Sequence, residues 1–262
     1  MSAFSRFFTH TQDQRAAWKV ALLYLTAITA AELLTTLLEP RVGLLLHGLL
    51  LISLLLHTAY TWEYAARDLL LSLSFAPLIR LLSLSLPLIN FPLVYWYLIT
   101  SVPLCVMVGM TMRTLHLTWH DVGVNLRAWL LQLPVALVGV LFGYMEYKIL
   151  QPQPLAQAFT LEQLWLPALI LMVSTGFAEE LIFRGVMQQA AMEALGQFGL
   201  LYVAALFAVL HVGYKSLLDV VFVFGVALCF GFVVKGTGSI VGVTLAHGLT
   251  NIVLFLVAPF IF

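Results

Sequence analysis

Long apolar runs dominate the chain, and short groups of polar or turn-forming residues separate them. Each run is continuously apolar over about 20 residues, the length that an α-helix needs to cross a bilayer, whereas strands of a membrane barrel alternate over roughly 10 residues. The pattern therefore predicts membrane-spanning helices. The predicted spans are residues 18–38, 42–61, 69–87, 91–112, 128–149, 163–183, 198–213, 217–234 and 239–261.

The third predicted span, 69–87, differs from the others because it contains Pro77, Arg80 and several serines. Irregular or polar segments are tolerated at membrane depth where protein or water surrounds them. We therefore expect this segment to be tilted, broken or interfacial, and the chain to have eight or nine transmembrane helices.

Two features predict contacts between helices. Glu32 lies inside the first span, where an acid needs a partner, and Arg80 is a candidate for that partner. Gly139 and Gly143 form a small-xxx-small pair, a pattern that lets two helices approach closely.

Composition restricts the class of protein. Hydrophobic residues make up 62% of the chain and charged residues 9%, whereas soluble domains are about half apolar and about a quarter charged. Eight or nine spans use about 160–180 residues, which leaves no room for a sizeable soluble domain. We predict an all-α, polytopic integral membrane helical bundle. The formal net charge is zero, so a basic surface for nucleic acid is not expected, and the expected surroundings are the lipid bilayer.

The placement of lysine and arginine predicts the orientation, because positive residues favour the cytoplasmic side. With nine spans and the N-terminus inside, more basic residues fall on the inner side than on the outer side. The inner set is Arg6, Arg15, Lys19, Arg67, Arg113, Arg127, Arg184 and Lys235, and the outer set is Arg41, Lys148 and Lys215. We predict a plasma-membrane protein with a cytoplasmic N-terminus.

One cluster of charges stands at the end of an apolar run rather than in a loop. Glu179, Glu180 and Arg184 follow the run that begins near Leu164, and a charge at a helix centre costs about 2.5–3.5 kcal/mol. Glu180 and Arg184 are four residues apart and share a helix face, while Glu179 lies about 100° around the helix. The spacing predicts one structural carboxylate and one that is free for other work. A solvated charge cluster at a helix end is the alternative.

Two more polar groups lie in the following apolar runs. His211 stands one helical turn after Phe207, and His247 stands four residues before Asn251, so that each pair shares a helix face. Taken singly, His211 could be a packed histidine, and His247 with Asn251 could join helices through hydrogen bonds. Ionisable residues inside spans usually face the bundle interior and often mark function.

These residue types suit hydrolysis of an amide. A glutamate with a neighbouring histidine can hold and deprotonate water, and a second histidine with an asparagine amide can donate to a developing oxyanion. The sequence contains neither G-x-S-x-G nor the H-E-x-x-H zinc helix.

The three groups together resemble a known family. Glu179-Glu180-x-x-x-Arg184, Phe207-x-x-x-His211 and His247-x-x-x-Asn251, in this order, look like the three motifs of the CPBP family. This is the family of CAAX prenyl endopeptidases and bacteriocin-processing membrane proteases, also called the Abi family. The resemblance covers about residues 125–262, and we divide the chain into N-terminal transmembrane helices, 1–124, and a catalytic transmembrane core, 125–262.

The resemblance implies an intramembrane glutamic endopeptidase that cuts a membrane-associated protein or peptide, without a cofactor. It implies that Glu179 is the general base, that His211 helps to activate the water, and that His247 and Asn251 form the oxyanion side. We assign a supporting role at this site to three further residues of the motifs, Glu180, Arg184 and Phe207.

Alternatives remain at this stage. Glu179, His211 and His247 could instead hold zinc, since two histidines and one glutamate form a known catalytic set. A transporter also uses intramembrane acids and histidines, although no internal repeat is visible. A scaffold without catalytic activity is the third possibility.

Overall fold

The computed structural model describes residues 3–85 and 92–262, which are mainly helical and contain no strand. The predicted all-α polytopic membrane bundle is confirmed. In chain order the helices are α1 (Ala3–Leu33), α2 (Pro40–Tyr60), α3 (Tyr64–Leu73), α4 (Phe75–Ser85), α5 (Leu93–Thr114), α6 (Trp129–Leu150), α7 (Leu161–Leu171), α8 (Ala178–Glu180), α9 (Gln188–Leu195), α10 (Gly199–Val209), α11 (Leu217–Thr237), α12 (Val241–Ile252) and α13 (Ala258–Ile261).

Seven stretches of the described chain are helical, long and apolar enough to cross a membrane. They are Gln14–Leu38, Pro40–Tyr60, Leu93–Thr114, Trp129–Leu150, Leu161–Tyr214, Leu217–Thr237 and Val241–Ile261. The fifth stretch, 54 residues long, contains two of the predicted spans, 163–183 and 198–213. The protein is therefore an integral membrane protein.

The third predicted span is broken. The chain between residues 64 and 85 forms α3 and α4, which meet at Ser74. Neither helix alone has the roughly 20 residues needed to cross a bilayer. Ser74 and its neighbour Phe75 are fully buried, so protein rather than lipid surrounds the interruption, as membrane proteins require. Residues 86–91, with the end of the predicted span and the break that begins at Pro87, lie outside the described residues.

Helix α6 shows how the bundle distributes its residues. One face carries leucines that are more than half exposed, as expected for contact with lipid tails, and the opposite face carries small and polar residues that are buried. The exposed set is Leu130, Leu133, Leu137 and Leu141, and the buried set is Gln132, Ala136, Gly139, Gly143 and Glu146.

The glycine pair on α6 lies against α12, and the predicted close approach is confirmed. A methyl group added at Gly139 would overlap the backbone of Ala246, and one added at Gly143 would overlap the carbonyl of Thr250. The Thr250 hydroxyl donates to the Gly139 carbonyl at 3.1 Å. Without side chains at these positions the two backbones come close enough for this bond.

The segment between α5 and α6 lies outside the spans and contacts the turn that precedes α12. The Asn125 side chain donates to the Gly238 carbonyl at 2.8 Å. Within the segment, the hydroxyl and the backbone N–H of Thr118 donate to Asp121 Oδ2 at 2.6 and 2.8 Å. These hydrogen bonds hold the pKa of the Asp121 carboxyl below its ordinary value, because they favour the ionised form.

Candidate active site

The first polar cluster lies on a helical stretch that contains two π-helical turns. Met172–Phe177 and Leu181–Met187 are π-helical and flank the short α-helical segment that carries both glutamates. Such turns widen a helix locally and are frequent at functional sites. They occur here where the chain places two carboxylates and a guanidinium inside an apolar bundle.

Glu180 and Arg184 form the predicted ion pair. Arg184 Nη1 donates to Glu180 Oε1 at 3.0 Å, and the two side chains are 0% and 2% exposed. The Glu179 side chain, by contrast, is 29% exposed. The distinction between a structural and an accessible carboxylate, predicted from helical spacing, is therefore present in the structure.

Aromatic rings surround the guanidinium of Arg184. Its central carbon lies 4.6 Å from the ring centre of Phe207 and 5.7 Å from that of Phe230, both within the range of a cation–π interaction. Phe207 belongs to the second motif, so this contact connects that motif to the first one.

His247 reaches both glutamates. Its Nδ1 lies 2.8 Å from Glu180 Oε1, and its Nε2 lies 4.0 Å from Glu179 Oε2. The first distance is a hydrogen bond, and the second is long enough for a bridging water. Glu180 therefore has two partners, Arg184 and His247, whereas helical spacing predicted only the first.

The tautomer of His211 follows from its hydrogen bond. His211 Nδ1 lies 2.8 Å from the Phe207 carbonyl oxygen. A carbonyl only accepts, so Nδ1 carries the proton and Nε2 of the neutral ring is an acceptor. The His211 ring also packs on Phe207, with ring centres 4.7 Å apart.

The Asn251 side chain is oriented by a threonine on the stretch that carries the glutamates. Asn251 Nδ2 donates to Thr175 Oγ1 at 2.8 Å, and the Thr175 hydroxyl donates to the Leu171 carbonyl at 2.5 Å. Thr175, itself fixed by the Leu171 carbonyl, thus orients the amide of Asn251.

The predicted site residues line two neighbouring cavities. The Glu179 cavity, of about 180 Å³, is lined by Glu179 and His211. The Asn251 cavity, of about 30 Å³, is lined by Asn251, His247 and Glu180. His211 and Phe207 line both. The residue types had been expected to act together on one peptide bond, and the structure divides them between two cavities that meet at the rings of His211 and Phe207.

Sequence reasoning placed Glu146 near the end of the predicted span 128–149 and did not assign it to the site. In the structure Glu146 lies near the end of α6, is 7% exposed and lines the Asn251 cavity. The sequence does contain a signal. Glu146 follows Gly139 and Gly143 at helical spacing and therefore shares their inward face.

The predicted pairing of Glu32 with Arg80 is confirmed, since Arg80 Nε donates to Glu32 Oε1. Arg80 also lines the Glu179 cavity. This was not expected from the sequence, because Arg80 belongs to the N-terminal half.

A zinc ion would need Glu179, His211 and His247 in one coordination sphere. Among the residues that the structure describes, no three His, Cys, Asp or Glu side chains are grouped so that they could hold a metal ion. The predicted lack of a cofactor stays a prediction, which chelation of the purified protein tests.

Residues 161–253 match the model of the family described as type II CAAX prenyl endopeptidase Rce1-like. The matched segment contains all three motifs, so the resemblance to the CPBP family is confirmed over this part of the chain. Searches of curated proteins and of solved structures give no match. At the level of the family, the match supports a CAAX-protease-like membrane endopeptidase.

Proposed function

Because residues 161–253 match a family of membrane endopeptidases, we propose that this protein is an intramembrane glutamic endopeptidase. It hydrolyses a peptide bond in a membrane-associated protein or peptide, and Glu179 is the general base. One observation carries the proposal. Glu180 is held by Arg184 and His247, whereas Glu179 is accessible in a cavity that His211 also lines.

In the proposed reaction, a water molecule in the Glu179 cavity loses a proton to the Glu179 carboxylate and attacks the scissile carbonyl. His211 presents Nε2, a hydrogen-bond acceptor in the tautomer that its bond to Phe207 requires. The water thus meets two acceptors, which position it and raise its nucleophilicity.

His247 and Asn251 are proposed to stabilise the developing oxyanion. When both ring nitrogens of His247 carry protons, Nδ1–H donates to Glu180 and Nε2–H is directed toward Glu179, where the reaction occurs. Asn251 adds an amide donor from the neighbouring cavity. Donors aimed at the site of developing charge act most strongly in a water-poor environment.

The leaving amine needs a proton. The proton that Glu179 removes from the water is available for it, so the same carboxyl group acts first as base and then as acid. No group has to be supplied from outside the protein, which suits a site enclosed by helices.

The test uses purified protein and a farnesylated peptide that ends in a CAAX sequence, compared with the same peptide without the farnesyl group. Glu179→Gln keeps the size of the side chain and removes the base, and Glu162→Gln, on an exposed acid of α7, is the matched control. We expect cleavage by the wild type and the control and a steep loss in Glu179→Gln.

Several results would contradict the proposal. Full activity of Glu179→Gln would exclude this residue as the base. Stoichiometric zinc, with activity lost to a chelator and restored by zinc alone, would favour the metal mechanism. Lack of cleavage of either peptide by folded wild-type protein would count against an endopeptidase of this type.

We also propose that the N-terminus is cytoplasmic and that the membrane is the plasma membrane. Support comes from the excess of lysine and arginine on the inner side when all nine predicted spans cross the membrane, with α3 and α4 together forming the third crossing. Reporter fusions at the N-terminus and after Thr237 test the orientation, and an N-terminal reporter that is active only outside the cell would contradict it.

A further inference from the structure

Arg80 joins the N-terminal half of the protein to the segment that carries His211. It lies on α4, and its Nε donates to Glu32 Oε1 on α1. Its Nη2 donates to the backbone carbonyl of Leu210, the residue immediately before His211. A single guanidinium therefore bridges a buried acid of one half and the backbone of the other.

The residues that hold Arg80 in the N-terminal half are buried. Glu32 is 1% exposed. The side chain of His47, on α2, is fully buried, and its Nε2 lies 3.4 Å from Glu32 Oε1. Three helices of the N-terminal half thus contribute to the position of the guanidinium. A planar guanidinium bound at two donors keeps a defined direction, because its donors form a rigid fork.

The acceptor is a carbonyl at a helix end. Helix α10 ends at Val209, and the last carbonyls of a helix lack partners within the helix. A cation at this end also interacts favourably with the helix dipole. The contact is therefore suited to hold the end of α10 in one place.

The position of this contact relates it to the chemistry. Arg80, Glu179 and His211 all line the Glu179 cavity. We infer that Arg80 is a positioning residue, which holds the Leu210 carbonyl and thereby places the His211 ring against the attacking water. The inference rests on the proposed function and adds a contribution from the part of the chain outside the matched segment.

A simpler role must be separated from this one, because the Glu32–Arg80 pair could serve only the stability of the fold. Removing one partner of a buried pair leaves the other charge without compensation, whereas replacing both by apolar residues is often neutral. Glu32→Leu combined with Arg80→Met therefore restores packing without restoring the bond to Leu210.

The experiment compares wild type, Arg80→Met, Arg80→Lys and the double variant Glu32→Leu/Arg80→Met. For each we measure the melting temperature, and kcat and KM for the farnesylated CAAX peptide per folded protein. We also measure carbethoxylation of His211 by diethyl pyrocarbonate, with His120 of the α5–α6 segment as internal reference. This labelling reports the surroundings of His211 without any cleavage.

We expect Arg80→Met to lower kcat by about 10- to 100-fold with little change in KM, since displacing a catalytic group by about 1 Å costs up to about 100-fold. Arg80→Lys recovers part of kcat. The double variant regains the melting temperature, yet its kcat and its His211 labelling stay as in Arg80→Met.

The inference would be overturned if Glu32→Leu/Arg80→Met recovered kcat and His211 labelling together with the melting temperature. Wild-type kcat in Arg80→Met would also overturn it. If the double variant stays unstable, the inference would be overturned by equal kcat and equal His211 labelling in Arg80→Lys and Arg80→Met. If the wild type cleaves nothing, the proposed function fails, and His211 labelling still decides whether Arg80 sets the position of this ring.

Discussion

Replacing Arg184 by methionine tests whether this residue supports the site more than it takes part in chemistry. Methionine is unbranched and uncharged, and its side chain is shorter than that of arginine. The substitution removes the bond to Glu180 Oε1 at 3.0 Å and the cation that lies between Phe207 and Phe230. Glu180 is fully buried, and within the part of the chain that the structure describes it then keeps only His247 as a partner.

The size of the effect follows from these contacts. Breaking a buried ion pair by removing one partner costs about 3–5 kcal/mol. Because Glu180 keeps its contact with His247, we expect a cost near the lower end of this range of about 3–5 kcal/mol. Contact of the methionine sulfur with the aromatic rings offsets about 0.3–1.5 kcal/mol of that cost. A net loss of about 2 kcal/mol is a considerable part of a typical stability of about 5–15 kcal/mol. It corresponds to a decrease in melting temperature of about 4–8 °C for a chain of this size.

The assay measures the folded yield in detergent and the melting temperature of Arg184→Met, with Glu180→Gln/Arg184→Met as the matched double variant. The double variant removes both charges and keeps an amide oxygen that can accept from His247, so we expect part of the stability to return. A single variant that folds and melts like wild type while losing all cleavage would refute this reasoning and point to substrate binding by Arg184.

Three further predictions follow from other contacts. Gly143→Ala is expected to destabilise the protein by about 1–3 kcal/mol through overpacking against α12, whereas Gly109→Ala, where an added methyl meets nothing within 4 Å, leaves the melting temperature unchanged or slightly higher. Asn251→Ala removes the proposed oxyanion donor and is expected to lower kcat by about 100- to 1000-fold. Thr175→Val removes the acceptor that orients the Asn251 amide and is expected to lower kcat by less. Normal kcat in both variants would contradict the oxyanion role of Asn251. Hydrogen bonds lower the pKa of Asp121, so the ionised carboxylate contributes fully to stability above about pH 4, and this contribution is lost as the pH falls through the lowered pKa. Melting curves measured from pH 7 to pH 3 are therefore expected to depend less on acid in Asp121→Asn than in the wild type.

The contacts that lie within one helix could be predicted from the sequence. Glu180 and Arg184 are four residues apart, and the geometry of any α-helix places such residues on one face. The two glycines of α6 are likewise four residues apart, and they predicted a close helix contact without naming the partner helix. Long apolar runs predicted the spans, because in lipid a backbone must satisfy its own hydrogen bonds, and a helix does this locally.

The sequence predicted an irregular third span, because Pro77, Arg80 and several serines fall within residues 69–87, and the structure interrupts this span at Ser74. Only the tertiary structure shows that the rest of the bundle buries the interruption and so makes it tolerable. Glu146 lies within the predicted span 128–149, but the sequence did not identify it as a site residue, because the span alone does not say which face of its helix is buried. It lines a cavity because α6 turns its glycine face toward α12.

Contacts between helices were decided by the tertiary structure alone. His247 lies 67 residues from Glu180 along the chain, and no spacing rule relates the two. Their hydrogen bond makes Glu180 a shared structural carboxylate and leaves Glu179 accessible. Periodicity defines how residues are arranged around the axis of one helix, but the rotation of each helix against its neighbours depends on packing over the whole bundle. The sequence by itself therefore determined which residues could form the site, and packing decided which of the two glutamates faces the larger cavity.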